Sequence, residues 1–485
     1  MNVDYSQFFN MMPEVTLTLV LVIVFIADLV AAKEAKRKWE NNLVCALMTL
    51  HFLVNLSGSG DVTAFGGMYY STQAIAAVKS ILAFGTILVL LQSYHWLNGQ
   101  NTRSRQGEFY LLVISTLLGM NFMVSANNFL LFFLGLEMAS VPMACLVAYA
   151  RFKQDSAEAA AKYILTATFS SGVMVYGLSM LYGAVGNLYF CNFAAAVTAT
   201  PLTVAGLVFF FSGLAFKLSL VPFHFWTADT YQGAPAVVGG YLSVISKGAA
   251  AVALLTILTK VFGSMIDYWH PMMCIVIVLS ITVANLFAIR QKNVKRFMAF
   301  SSISQAGYIM LALLSPSDAS ATALSYYILI YIVANLVVFG ILSTLESTFD
   351  GDITMSRMNG FYKTNPRLSF IMTLALFSLG GIPPFAGMFS KFFVFMAAIQ
   401  GQAVDTAMGA LTYVVVFIAL VNTVVSLYYY LLIVKAMYIN RTEEPLPAFA
   451  TPERTRLSLA LCTSGIVLFG IISFVYEWIF GCVVA

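Results

Sequence analysis

Long apolar runs separated by short polar connections dominate this chain. A run of about 20 residues crosses the bilayer core as a helix. On that measure fourteen segments are predicted, at roughly 13–32, 41–57, 72–92, 109–126, 128–150, 157–183, 202–226, 235–259, 270–289, 296–315, 320–345, 367–399, 408–436 and 456–480. The predicted fold class is an all-α membrane protein. Two segments are irregular. The seventh reads FKLSLVPFHFW, and the twelfth reads SLGGIPPFAGMFSKFF and is too long for one straight span. Pro222, Pro383 and Pro384 each remove a backbone donor, so both helices are predicted to be broken. Membranes tolerate such breaks only where protein or a hydrated cavity surrounds them.

The charges test the span count. Connections of odd number hold nineteen of the 25 lysines and arginines: Lys33, Lys36, Arg37, Lys38; Arg103, Arg105; Arg151, Lys153; Arg290, Lys292, Lys295, Arg296; Arg357, Lys363, Arg367; and Lys435, Arg441, Arg454, Arg456. Even connections hold only Lys260. Basic loops stay on the inner side, and one span too many or too few would scramble this division. Fourteen spans with the N and C termini outside are therefore predicted. The N-terminal stretch MNVDYSQFFNMM lacks the basic start of a cleavable signal, and the first basic cluster follows the first apolar run.

Composition agrees. Of 485 residues, 60% are hydrophobic and 9% charged, with a mean hydropathy of +0.87. So little charge cannot cover a soluble surface. The longest polar stretch, about twenty residues near 346–367, is too short for a flavin, nucleotide or iron–sulfur domain. None of the six cysteines forms a CxxC pair, and no phosphate-binding glycine loop occurs, so neither a metal nor a cofactor site is expected in this chain. Most of the cysteines lie in apolar runs and read as small core fillers.

The two broken spans lie five apart, and each places a lysine near a Pro-Phe step. Corresponding broken helices mark an internally repeated transporter. The chain accordingly divides into three N-terminal helices (1–108), a first repeat of helices 4–8 (109–265), a second repeat of helices 9–13 (266–440) and a last helix (441–485).

Six charged residues lie five or more residues inside the ends of the apolar segments: Lys79, Glu137, Lys162, Lys217, Lys247 and Lys391. A charge at the centre of a membrane helix costs about 2.5–3.5 kcal/mol on insertion scales, so such residues point to a path for charge, most simply protons. Glu137 and Lys217 each have a proline five residues on, Pro142 and Pro222, which exposes a backbone carbonyl to water. The plainer alternative is a proline kink held by an ion pair. Lysine suits proton transfer because burial and neighbours move its proton affinity, and moving one charge across 100 mV takes about 2.3 kcal/mol. Lys247 and Lys391 lie too deep to reach the surface, whereas Lys162 sits near enough to Lys153 to snorkel inward. Lys79, with no break beside it, reads as snorkelling or locally paired. His224 follows the seventh-span break and is a candidate relay between Lys217 and Lys247. His51, His95 and His270 read as interface or rim residues, and Asp229 as a fixing residue for its connection.

Together FLGLEMASVP, AAAKYILTATFSSG, FKLSLVPFHFWTADTYQGAP, KRFMAFSSISQAGYIM and LGGIPPFAGMFSKF, in this order, resemble the antiporter-like membrane subunits of respiratory complex I, the bacterial proton-translocating NADH:quinone oxidoreductase. The resemblance covers nearly the whole chain. It implies a fourteen-helix bundle with two inverted five-helix repeats. It also implies proton transfer through Glu137 of the fifth helix, Lys217 of the broken seventh, the modulating Lys162, the central Lys247, and Lys391 of the broken twelfth on the exit side. Its implied partners are the complex's other membrane subunits (A, H, J, K, L and M types) and a peripheral redox arm that carries FMN and the iron–sulfur clusters. The implied location is a bacterial inner membrane, with quinone reached only through the complex. Gln305 stands where many relatives show histidine, and Ala228 replaces a common proline. Two other readings are a subunit of a multisubunit cation/proton antiporter or membrane-bound hydrogenase, and a purely structural membrane anchor. The deep lysines argue against the anchor.

Overall fold

A computed structural model describes residues 5–31, 38–58, 60–349 and 351–484. Lys33, Lys36 and Arg37 of the first basic cluster lie outside the described residues. Each of the fourteen predicted segments contains a helix. The first half runs α1 (Met12–Val30), α2 (Lys38–Leu56), α3 (Gln73–Leu97), α4 (Gln106–Val124), α5 (Phe129–Val147), α6 (Gln154–Val185), the short α7 (Phe190–Ala196), α8 (Pro201–Leu218), α9 (Phe225–Gly233), α10 (Ala236–Tyr241) and α11 (Lys247–Lys260). The second half runs α12 (Ile266–Ile289), α13 (Val294–Leu311), α14 (Asp318–Thr348), α15 (Phe361–Thr364), α16 (Pro366–Gly380), α17 (Ala386–Ile399), α18 (Ala407–Tyr438), α19 (Glu453–Ile471) and α20 (Phe474–Val484). Eleven helical stretches among the described residues are long and apolar enough to cross a membrane on their own. The predicted second and tenth segments form α2 and α13, and the twelfth is divided into α16 and α17.

Sequence punctuation sets the helix starts. Side chains of Thr72, Asn128, Thr200, Asn293, Ser317 and Thr406 each accept a bond from a first-turn N–H of the following helix. Helix α14 stands at the centre: its most apolar window is entirely buried. Around it pack α3, α10, α16, α17, α19 and α20. Two glycine pairs draw helices into backbone contact. A Cβ on Gly119 of α4 would lie 2.5 Å from the Ala139 nitrogen of α5, and one on Gly177 of α6 would lie 2.5 Å from the Phe210 nitrogen of α8. Small residues permit this close approach, and it fixes the helices that carry Glu137 and Lys217.

Both predicted breaks are present. Helix α8 stops at Ser219, which is left-handed (φ 61°), three residues before Pro222. Helix α16 stops at the left-handed Gly381 (φ 85°), ahead of Pro383 and Pro384. Pro142, by contrast, lies inside an unbroken α5. Besides the short α7, three further features were not predicted. Helix α10 passes into α11 through a wide π-helical turn, Leu242–Ser246. The last segment is divided at Ile472, which is extended, before α20. Strands β1 (Val62–Ala64) and β2 (Tyr69–Ser71) form an antiparallel hairpin ahead of α3. The core-filler reading of the cysteines holds for Cys274 and Cys462, but Cys145 and Cys191 are exposed.

Candidate functional site

Lys217 occupies the last turn of α8, at the broken end, and is buried. Its ammonium donates to the Ser140 hydroxyl of α5 and lies 5.7 Å from the centre of the Tyr163 ring. Ser140 in turn donates to the Leu136 carbonyl at 2.5 Å. Glu137, three residues before Ser140 and so on the same helix face, accepts a 2.5 Å bond from Ser171 of α6. The two predicted partners therefore bond different serines, Lys217 to Ser140 and Glu137 to Ser171, and they form no ion pair in this arrangement.

Lys162 reaches the surface as its position near Lys153 suggested. It is 45% exposed and pairs with Glu158 at 2.7 Å and Asp229 at 2.8 Å. The other Asp229 oxygen accepts from Arg296 of α13 at 2.5 Å. Asp229 thus fastens α9 to both α6 and α13, in keeping with a fixing role. Lys162 lies nine residues from Ser171, about 13 Å along α6, so it is remote from Glu137.

Lys247 follows the π-helical turn and is 1% exposed. Its ammonium donates to Ser302 of α13 at 2.6 Å and lies 5.7 Å from the Tyr231 ring centre. No carboxylate pairs with it among the described residues. His224 is buried at the start of α9, its ring centre 4.5 Å from that of Phe225. Neither Lys217 nor Lys247 hydrogen-bonds it; their ammonium groups bond Ser140 and Ser302. An aromatic series fills that interval instead: Tyr163 and Trp226 (5.2 Å between ring centres), then Trp226 and Tyr231 (6.4 Å). The Trp226 indole donates to the Phe216 carbonyl at the α8 break.

Helix α13 continues the polar line. Next to Ser302, Ser301 bonds the Tyr430 hydroxyl at 2.6 Å. The Gln305 amide donates to Tyr430 and to the Leu379 carbonyl, each at 3.1 Å, and accepts from the Tyr327 hydroxyl. Gln305, Tyr327, Ser378 and Ser390 line a cavity of about 10 Å³ together with Lys391, room for about one water. The Lys391 ammonium donates to the Gly380 carbonyl at 3.4 Å and lies 4.7 Å from the Tyr308 ring centre.

Lys79 does not snorkel. It is fully buried and pairs with Glu14 of α1 at 2.6 Å, and it donates to the Tyr69 hydroxyl of β2 at 3.0 Å. Tyr69 donates to the second Glu14 oxygen at 2.9 Å. The local-pair reading stands; Glu14 itself was missed because it sits at the rim of its segment. His51 and His270 are buried between helices, bonded to Thr16 and Thr412. Among the described residues, no cluster of three or more histidines, cysteines or carboxylates could hold a metal. Ser140, Ser302, Tyr231, Tyr327 and Tyr430 were also missed; the only signal was their polarity within apolar runs.

The fold and this interior define a membrane-embedded helical bundle with a series of buried lysines among hydroxyls, aromatic rings and one amide. A family profile described as "NADH:quinone oxidoreductase/Mrp antiporter, TM" matches residues 126–435. The NADH-quinone oxidoreductase subunit N of Phocaeicola vulgatus is 59% identical over 474 residues, 98% of each chain. A chain of respiratory complex I from Thermus thermophilus, with 28% identity, superposes with a TM-score of 0.80 over 96% of this chain and 98% of that one. A chain of the Mrp complex from Dietzia gives a TM-score of 0.84 at 17% identity over 100% and 97%, a likeness of fold alone. The chain belongs to the NADH:quinone oxidoreductase/Mrp antiporter transmembrane family.

Proposed function

We propose that this chain is a proton-translocating membrane subunit of an NADH:quinone oxidoreductase, of the N type, in a bacterial inner membrane. NADH oxidation and quinone reduction occur in partner subunits that hold FMN and iron–sulfur clusters. The energy released there rearranges charge in this chain, as part of a translocase, and moves protons outward. The observation that carries the reading is 59% identity over almost the full length to a protein of that name. It favours the oxidoreductase over a cation/proton antiporter subunit, whose likeness here is one of fold.

Within that role, Glu137, Lys162, Lys217, Lys247 and Lys391 transfer or modulate the protons. Lys217 and Lys247 each face a serine hydroxyl rather than a carboxylate, which leaves each ammonium responsive to nearby charge. The Glu137–Lys217 pair acts by approach across Ser140. The two inverted repeats are 109–265 and 266–440, flanked by 1–108 and 441–485, with both termini outside. In support, each repeat holds one helix broken at a left-handed residue followed by Pro-Phe, with a buried lysine beside it. The other membrane subunits and the redox arm are the partners. Lys217→Ala and Glu137→Ala are expected to lower proton-coupled quinone reduction sharply while the complex still assembles. Normal pumping in both variants would sink this assignment.

A further inference from the structure

A crevice of about 470 Å³ opens between the first turns of α16 and α19, the end of the bundle where the basic connections gather. Arg367 of α16 and Arg456 of α19 line it, and no acidic residue does. Neither guanidinium has a hydrogen-bond or ion-pair partner among the described residues, and Glu453, three residues before Arg456, does not pair with it. Two free arginines at one opening repel each other, so the arrangement is complementary to an anion.

The rest of the lining is part polar and part apolar. Thr364, Asn365 and Thr451 supply polar groups beside the arginines, and Leu368, Ile371 and Leu459 supply apolar ones. Phe370 and Leu457 of the same two helices are exposed, apolar side chains suited to acyl chains. Charged and polar groups together with apolar ones match a phosphate headgroup with its acyl chains, and basic crevices between membrane helices bind such headgroups. The roof is built in advance. The Asn365 amide donates to the Pro447 carbonyl at 3.2 Å, and its oxygen accepts from the Phe449 backbone at 3.3 Å. The connection leading to α19 is thereby pinned over the crevice.

We propose that this crevice is a binding site for an anionic phospholipid, its phosphodiester held by Arg367 and Arg456. The site is independent of the proton-transfer residues. The test uses the intact complex in phosphatidylcholine nanodiscs containing a trace of phosphatidylglycerol with a photoactivatable acyl chain, with crosslinks mapped by peptide mass spectrometry. The expected result is labelling within 364–371 and 451–460. Unlabelled phosphatidylglycerol should displace it; phosphatidylcholine and millimolar inorganic phosphate should not. Arg367→Gln with Arg456→Gln should weaken binding roughly 25-fold, at about one juxtamembrane charge each, while Arg→Lys at both positions keeps most of it. Equal labelling by a phosphatidylcholine probe, displacement by inorganic phosphate, or unchanged labelling in an assembled double-glutamine complex would each overturn the proposal. Should that variant fail to assemble, the competition on the unmodified complex decides.

Discussion

Lys79 and Lys247 are both fully buried lysines in apolar helices, yet their surroundings differ in kind. Lys79 has a carboxylate at 2.6 Å and a tyrosine hydroxyl that closes the triangle. Lys247 has one serine hydroxyl at 2.6 Å and an aromatic face. The first arrangement neutralises its charge and ties α1 to α3 and the hairpin. The second spends burial on a charge without neutralising it, an arrangement a fold gains nothing from. The lesson is that depth alone does not mark a proton carrier. The partner decides, and the partner is a tertiary fact.

The largest expected effect comes from removing the unpaired lysine. Lys247→Ala should lower proton translocation by the assembled complex at least tenfold, about 1.4 kcal/mol or more on the limiting step, with its amount in the membrane close to normal. Pumping measured by dye quenching in inverted vesicles, set against complex content on native gels, checks this. A variant that pumps normally would place Lys247 with the structural charges.

At the paired lysine the order is reversed. Lys79→Met strands the Glu14 carboxylate, and breaking a buried pair from one side costs about 3–5 kcal/mol. The expected outcome is poor assembly, with near-normal pumping per assembled complex. Lys79→Met combined with Glu14→Leu should recover most of the lost complex, because an apolar replacement of both members is often neutral; only the Tyr69 hydroxyl then lacks its acceptor. If the double variant assembles no better than the single one, the pair is more than a structural clamp. Thermal aggregation of the solubilised complex is the readout.

The same contrast shows what was legible in the sequence. Span positions followed from apolar length and from the one-sided basic connections, and both breaks followed from proline chemistry near a lysine. Each depends on local composition. Glu14 was not legible as the partner of Lys79, since 65 residues separate them and only the packing of α1 on α3 unites them. Ser140 and Ser302 were invisible for the same reason: a serine in an apolar run bonds its own helix as readily as a lysine across the bundle. The π-helical turn before Lys247 and the division at Ile472 occur in apolar stretches without proline, so no residue announced them. His224 is a further case: its place after the break was legible, but its ring packs on Phe225 and hydrogen-bonds neither lysine, which no local pattern foretold.

The smallest and most selective effect concerns the stretch between Lys247 and Lys391. It is joined by groups that carry no charge near neutral pH: Ser302, Ser301, Tyr430, Tyr327 and the Gln305 amide. Gln305→His keeps a planar polar side chain of similar size and adds a group that ordinarily titrates near 6.5. The imidazole can gain charge as the pH is lowered, which the amide cannot, beside the cavity that Lys391 lines. A cation there repels the Lys391 ammonium, so the sign is fixed: pumping by the variant should match the parent at neutral pH and above and fall below it as the medium is acidified. The parent should keep a flatter profile across that range. Initial rates of proton uptake at matched quinone reductase activity separate this from a general loss of turnover. Parallel profiles for parent and variant across the acidic range would count against a proton route past Gln305.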